Sequence, residues 1–341
     1  MPHWKNTAGD KPEKMPTPAV VTIPMSMHIG APAKPVVKAG DEVKVGQLIA
    51  EAGGFVSSPI YSGVSGKVKK IDDMLNSAGQ RVPAVTIETD GKQELFEGIA
   101  PPKVTNLQEF LDAVKNSGVV GLGGAGFPTA VKLTVKDLSM IEAVIINGAE
   151  CEPFITSDTR TMIDDADLVW QGIELLQKYL KVKRVIIGIE DNKPQCIGNF
   201  RKMCKPGCGV EVSALPAIYP QGGEKVLIYH TIGRIVPEGK LPIDVGAIVI
   251  NCTTLAAVAK YIQTGIPLYE KCVTVDGSAV KKPKNVIAPI GTPLKDVFEF
   301  CGGFSSEPKK VLYGGPMMGI AVPDLEQPIL KNTNAILAFN E

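Results

Sequence analysis

The sequence predicts an α/β chain whose centre is a doubly wound, Rossmann-like domain, flanked by two smaller β modules. Three observations carry this. Apolar Ile/Val-rich runs at 141–146, 184–189 and 246–250 are each followed by a polar stretch and an amphipathic run, the rhythm of strand, loop and helix around a parallel sheet. The stretch GLGGAGFPT at 121–129 puts four glycines in six residues ahead of a helix start. On either side, the pattern changes to short β runs broken by glycine turns.

The start, through residue 25, is punctuated by proline, lacks the apolar run of a signal peptide, and reads as an extended arm. Residues 26–100 hold short strands at even spacing, which suggests a small barrel or sandwich. Pro101 and Pro102 mark a boundary, and 101–265 is the central domain. Its first helix follows the cap Thr105-Asn106, with Leu107, Phe110, Leu111 and Val114 on one face and Gly118 at its end. The glycine loop comes next, then the strand 141–146, which empties into Asn147-Gly-Ala-Glu150-Cys-Glu152. A strong helix is expected over 164–179, with Leu168, Gly172, Leu175, Leu176 and Tyr179 on one face. The strand 184–189 ends at Glu190-Asp191, and 193–205 reads as helix. The strand 210–215 runs into Gln221-Gly-Gly-Glu224-Lys225, and the strand 246–250 ends at Asn251, which caps the helix 255–263. Residues 266–322 read as a β-grasp-like module, with a second glycine turn at 314–319 whose Met317 and Met318 are expected to pack. The tail 323–341 shows little pattern.

Composition narrows the function classes. Lys and Arg number 36 and so do Asp and Glu, so charge gives no reason to expect nucleic acid or an anionic membrane as partner. The 35 Gly and 27 Pro exclude a helical bundle. No apolar run approaches the ~18 residues of a membrane span. Seven scattered cysteines fit a reducing compartment better than a disulfide framework. Cys204 and Cys208 are the one close pair. Even with Cys196 nearby they lack a fourth metal ligand, the nearest histidine being His230, and no metal is expected.

Ligands of doubly wound folds sit at the carboxyl ends of the strands. The polar groups at 147–152, 190–191, 221–225 and 251–254 all fall there. Gly121, Gly123, Gly124 and Gly126 offer bare backbone N–H groups to a phosphate, and the same loop read alone is also a plain glycine-rich turn. Lys132 supplies a matching charge, and Phe127 at the loop tip an aromatic face for a flat ring. Asn147, Glu150, Glu152, Gln221, Glu224 and Asn251 offer the hydrogen bonds a ribityl chain or ribose would use. With only His3, His28 and His230, and no Ser-His-Asp set, a cofactor is expected to carry the chemistry.

The run VKAGDEVKVGQLIAEAGGFVSSPIYSGVSGKVKKI at 37–71 resembles the biotinyl/lipoyl barrel-sandwich family, but its hairpin tip holds no lysine. A structural module is therefore expected, not a carrier. The motifs GLGGAGFPTAVK, NGAECEPFITSD, YPQGGEK and NCTTLAAV, in this order, resemble the RnfC family of the ion-translocating Rnf ferredoxin:NAD oxidoreductase. More distantly they resemble the NADH-binding flavoprotein subunit of complex I. HIGAPAKPVVKAGDEVKVGQLIAE and the β-grasp segment, which resembles an SLBB domain, extend the likeness over about 20–341.

The resemblance implies a subunit exchanging hydride between FMN and NAD(H), and single electrons with iron–sulfur clusters. Gly121, Gly123, Gly124 and Gly126 would form the flavin and phosphate loop, and Lys132 would meet the FMN phosphate. Phe127 would face the nicotinamide. Asn147 and Glu150 would bond the flavin, with Asn251 and Thr254 near its phosphate or ribityl, and Glu152 close to the hydride-transfer site. Gln221 and Glu224 complete the binding set, with no acid or base and no metal ligand in the chain. Two positions depart from the complex I pattern: Ala149 stands where that subunit has an acid, and Glu224-Lys225 replaces a Glu-Glu pair.

Two 4Fe-4S clusters are expected only in a longer subunit, because this chain stops about where the cluster segment would begin. The implied partners are NADH and other Rnf subunits, including membrane subunits and an iron–sulfur ferredoxin-binding subunit. The implied place is peripheral, on the cytoplasmic side of the cell membrane. Two other readings stay open: an RnfC-like electron-transfer protein serving a soluble reductase, and a flavin-free scaffold subunit.

Overall fold

The structure is a computed structural model that describes residues 4–341; His3, within the predicted arm, lies outside the described residues. The central sheet has four parallel strands in the spatial order Val210–Leu215, Val185–Glu190, Ala143–Gly148, Ala247–Asn251. In chain order this is third, second, first, fourth, so strand order reverses between Ala143–Gly148 and Ala247–Asn251. There Asn147 stands opposite Asn251. Connections on the two sides of such a reversal leave in opposite directions and open a crevice, the ligand position of doubly wound folds. Two helices of this domain pack close to each other. A Cβ on Gly172 of the helix Ala166–Leu180 would lie 2.4 Å from Leu255, in the helix Cys252–Thr264.

The barrel-sandwich module pairs a four-stranded sheet (Val20–Pro24, Arg81–Thr89, Gly66–Leu75, Glu42–Val43) with a three-stranded one (Lys34–Pro35, Leu48–Glu51, Ile60–Tyr61). It is not insulated from the central domain. One apolar core runs from Ile23 and Ile87 through Phe110 and Leu122 to Ile146 and Ile187. Such continuity resists relative motion of the two units.

Four sequence expectations are corrected. The arm is not free up to residue 25. Val20–Pro24 is a strand of the barrel with Val21 and Ile23 fully buried, and Glu13–Lys14 pairs with the β-grasp strand Lys284–Pro289. The tail is not patternless. Ala335–Phe339 lies inside the six-stranded β-grasp sheet, between Glu270–Asp276 and Lys310–Tyr313, because an apolar run buried on both faces has no alternation to betray it. The helix after the glycine loop spans only Thr129–Leu133, since Thr134 leaves the helical conformation, so its dipole end is weak. Finally, Ser157–Asp164 is a helix ahead of the expected one. Asp158, Thr159, Arg160 and Thr161 are all buried on it, so hydrophobic periodicity could not announce it.

Candidate functional site

Val120 and Pro128 bridge the stem of the glycine loop, and the Gly121 N–H donates to the Phe127 carbonyl at 2.9 Å. The tip is therefore Gly123-Gly124-Ala125, all exposed. Phe127, expected at the tip, is half-buried at the base because its carbonyl closes the loop. Two glycines are required by geometry. Gly126 has φ +74°, and a Cβ on Gly123 would stand 2.6 Å from Asn251 Nδ2. At Gly124 a Cβ would meet nothing within 4 Å. The backbone N–H groups of Gly123, Gly124, Ala125, Gly126 and Phe127 have no acceptor among the described residues, whereas the Leu122 N–H donates to Thr254 Oγ1 at 2.9 Å. A run of unpaired N–H groups on one loop is an anion-binding concavity.

Polar residues at the strand ends build the floor. Asn251 accepts the Thr254 N–H at 3.0 Å, capping the helix Cys252–Thr264, and its Nδ2 donates to Asp158 Oδ2 at 2.8 Å. Thr253 donates to the other Asp158 oxygen at 2.6 Å. Asp158 is buried; burial and then the neighbouring Glu150 push its carboxyl above the usual range, opposed by the Thr253 and Asn251 hydrogen bonds and by Lys271. Lys271, also buried, is pushed down to about 8 by burial, with Asp158 working the other way.

Glu150, expected to bond a flavin, accepts with both carboxylate oxygens at the start of the helix Ser157–Asp164, from Asp158 N at 2.7 Å and from Thr159 N at 3.3 Å and Thr159 Oγ1 at 2.7 Å. An acidic side chain at a helix N-terminus satisfies donors that otherwise have none. Asn147 is likewise tied back: Nδ2 donates to the Gly222 carbonyl at 3.0 Å and Oδ1 accepts the Ala149 N–H at 3.1 Å, joining two strand-end loops.

At the rim, Lys132 Nζ lies 2.8 Å from Glu224 Oε1 and donates to the Val249 carbonyl at 3.0 Å, so two predicted site residues meet as an ion pair. Gln221 is fully buried. Its Oε1 accepts from His230 Nδ1 at 2.8 Å, and its Nε2 has no partner among the described residues. Glu152, expected close to the hydride-transfer site, accepts with its carboxylate the N–H groups of Met317 at 3.0 Å and Met318 at 2.8 Å and so clasps the β-grasp turn. Met317 and Met318, expected to pack, are exposed on that turn. Cys204 and Cys208 gather no third ligand: no cluster of three His, Cys, Asp or Glu that could hold a metal is found among the described residues.

Sequence reasoning missed Lys5. From the arm, its buried ammonium donates to the carbonyls of Glu150 (2.6 Å), Glu152 (2.9 Å) and Ile155 (2.6 Å), and beside it Trp4 stacks on Phe154 with ring centroids 6.1 Å apart. The acidic loop of the site is thus shaped by the chain's first described residues. No local signal in a proline-punctuated arm could show this. Two clefts lie away from the site, one of about 600 Å³ on the barrel between Lys44, Lys67 and Glu94 and one of about 490 Å³ around Cys204 and Cys208. The strand ends still mark the site, because an open rim with backbone donors need not be a deep cavity.

Three family models match this chain: the Nuo51 FMN-binding domain over residues 114–260, the RnfC barrel sandwich hybrid domain over 1–92, and the SLBB domain over 272–321. A relative from Clostridium ljungdahlii, one of the subunits of its proton-translocating ferredoxin:NAD(+) oxidoreductase complex, is 45% identical over 340 residues, covering 99% of this chain and 74% of its own. The chain belongs to the RnfC family. Other members are similar too. The corresponding component of the Na(+)-translocating ferredoxin:NAD(+) oxidoreductase complex of Acetobacterium woodii is 43% identical over 328 residues, covering 95% of this chain and 74% of its own. That of the ion-translocating oxidoreductase complex of Rhodobacter capsulatus is 39% identical over 332 residues, covering 96% and 64%. Among solved structures, an NAD+-reducing NiFe hydrogenase in the H2-reduced state superposes with a TM-score of 0.59 at 21% identity, covering 69% of this chain and 47% of that one; this is a likeness of fold. The RnfC barrel match begins at residue 1, in keeping with an arm that contributes a strand to the barrel.

Proposed function

We propose that this RnfC-family chain binds FMN at the 121–127 loop and docks NAD(H) beside it, as the hydride-exchanging part of an ion-translocating ferredoxin:NAD oxidoreductase. The observation that carries the reading is the run of N–H groups from Gly123 to Phe127 without acceptors, at the point where the strand order reverses. The residues present fit the cofactor. The loop N–H groups suit a phosphate or a ring carbonyl, Lys132 brings a cation to the same edge, and Gln221 Nε2 is a buried donor without a partner. When bound, FMN supplies hydride exchange with nicotinamide and single-electron exchange with iron–sulfur centres.

The chain's own residues position and shield. Asn251 and Thr254 hold the loop against the helix Cys252–Thr264, and Asn147 ties the first strand end to Gly222. Lys132 is shared between Glu224 and any incoming phosphate, so Glu224 sets how much positive charge the ligand meets. No side chain of the site needs to act as acid or base, and orientation is the protein's main contribution. No helix among the described residues is long and apolar enough to cross a membrane, and we place the chain as a peripheral subunit on the cytoplasmic face of a membrane complex. Its partners would be the membrane subunits and an iron–sulfur subunit that exchanges electrons with ferredoxin, with two 4Fe-4S clusters in the longer subunit.

The visible spectrum of the purified protein, before and after incubation with FMN and desalting, tests this. Retained flavin absorbance that NADH bleaches without oxygen is the expected result. A chain that retains no flavin overturns the reading.

A further inference from the structure

The carbonyls of the glycine loop are held from outside the loop's own domain. Asn332 Nδ2, from the segment after the β-grasp turn, donates to the Gly124 carbonyl at 3.1 Å. The Ile29 N–H, from the barrel, donates to the Gly126 carbonyl at 3.1 Å. Lys271, from the first long β-grasp strand, reaches the Leu122 carbonyl at 3.5 Å. Lys331, next to Asn332, is fully buried and donates to Gly118 O (2.6 Å), Pro59 O (2.6 Å) and Ser58 Oγ (3.0 Å), so the residue carrying Asn332 is pinned to both the barrel and the loop stem.

In a trans peptide the C=O and the following N–H point in opposite directions within one plane. Holding the carbonyls of Leu122, Gly124 and Gly126 therefore turns each following N–H group, of Gly123, Ala125 and Phe127, away from the group that holds its carbonyl. Those three are among the five loop N–H groups that have no acceptor among the described residues.

We propose that Asn332 is a positioning residue for the cofactor, anchored by Lys331, which orients the glycine loop by holding the Gly124 carbonyl so that the Ala125 N–H faces the ligand. The proposal rests on the loop being the flavin loop. It adds that the segment behind the β-grasp turn, and not the α/β domain alone, sets flavin affinity. Asn332 is half-buried at the edge of the loop, and removing its amide leaves no core cavity.

The test is FMN titration of the apoprotein, followed by flavin fluorescence, with Asn332→Ala and Asn332→Asp, alongside NMR order parameters of the loop backbone without flavin. Asn332→Ala is expected to raise the FMN Kd about tenfold, the loss of one oriented hydrogen bond. Asn332→Asp, which sets a carboxylate against a carbonyl, should raise it further. Backbone order parameters at Gly123–Phe127 should fall while the melting temperature of the apoprotein stays within about 1 °C of wild type. A merely structural role would move the melting temperature and not the loop alone. Wild-type FMN affinity and wild-type loop order parameters in Asn332→Ala would overturn the clamp while leaving the flavin reading intact. A wild-type chain that binds no FMN would instead overturn the flavin reading itself, and the cofactor role of Asn332 with it.

Discussion

Asn251 links Asp158 to the glycine loop: its Nδ2 donates to Asp158 Oδ2 at 2.8 Å, and a Cβ on Gly123 would come within 2.6 Å of that same nitrogen. The loop thus rests on a polar floor whose lowest member is a buried carboxyl, and neighbouring glycines within it answer to different demands.

Gly123 and Gly124 should separate fold from ligand. Gly123→Ala forces Asn251 to move and should cost about 1–3 kcal/mol of stability, the range for disturbing a buried hydrogen-bonded group. Gly124→Ala meets open space and should leave the melting temperature unchanged. Gly124→Trp should abolish flavin binding with the fold intact, as read by denaturant unfolding and flavin titration. Equal stability of the two alanine variants would refute the assignment of Gly123 to the floor contact.

Lys132 and Glu224 should act on affinity in opposite directions. Their pair is about one-third exposed on each side, so breaking it should change stability by no more than about 1 kcal/mol. Lys132→Met should weaken FMN binding by about tenfold to a hundredfold, the worth of one or two charge-assisted hydrogen bonds. Glu224→Gln should strengthen it by releasing the ammonium. A double-mutant cycle checks the coupling, and tighter binding by Lys132→Met would sink the role of that lysine.

Lys331 should make stability depend on pH at the alkaline side of neutrality. Burial lowers its ammonium from the ordinary 10.5 to about 7. Between those values the unfolded chain binds the proton and the folded chain does not. The contribution of this group to stability therefore increases as pH rises from about 7 towards 10.5 and diminishes as pH falls back towards 7. Lys331→Met should flatten that slope. Urea unfolding at pH 7, 8 and 9 reads it, and parallel slopes for both proteins would contradict the assignment.

Lys5 should matter more than an arm residue usually does. Burial lowers its affinity for a proton, with Glu150 pulling the other way, yet three carbonyls share its ammonium. Lys5→Met leaves three acceptors without their donor and should cost about 3 kcal/mol, near the upper range for a charged buried hydrogen-bond donor. Calorimetry of the variant, with flavin affinity alongside, checks it. A melting temperature equal to wild type would show that the arm detaches in solution.

Much of this was legible in the sequence because it followed from periodicity and spacing. The Ile/Val runs, the glycine loop and the cap at Asn251 all fell where the structure has them. What stayed hidden was polar and distant. Ser157–Asp164 buries polar residues and carries no apolar stripe. Glu150 and Glu152 look like ligand contacts in sequence, since nothing local reveals that one caps a helix and the other holds a turn more than 160 residues away. Asn332 and Lys5 act across domain boundaries that a linear reading treats as ends.

The contacts of the arm also constrain when the molecule can become itself. The partners of the arm are distant in sequence, Glu150, Ile155 and Thr156 and then Asn285, whose Nδ2 donates to the Thr7 carbonyl at 3.1 Å. Closing a loop of that length is slow compared with pairing neighbours. The acidic loop therefore takes its final shape only once Lys5 has closed a loop of 145 residues onto Glu150, which makes the finished cofactor site a late event of folding.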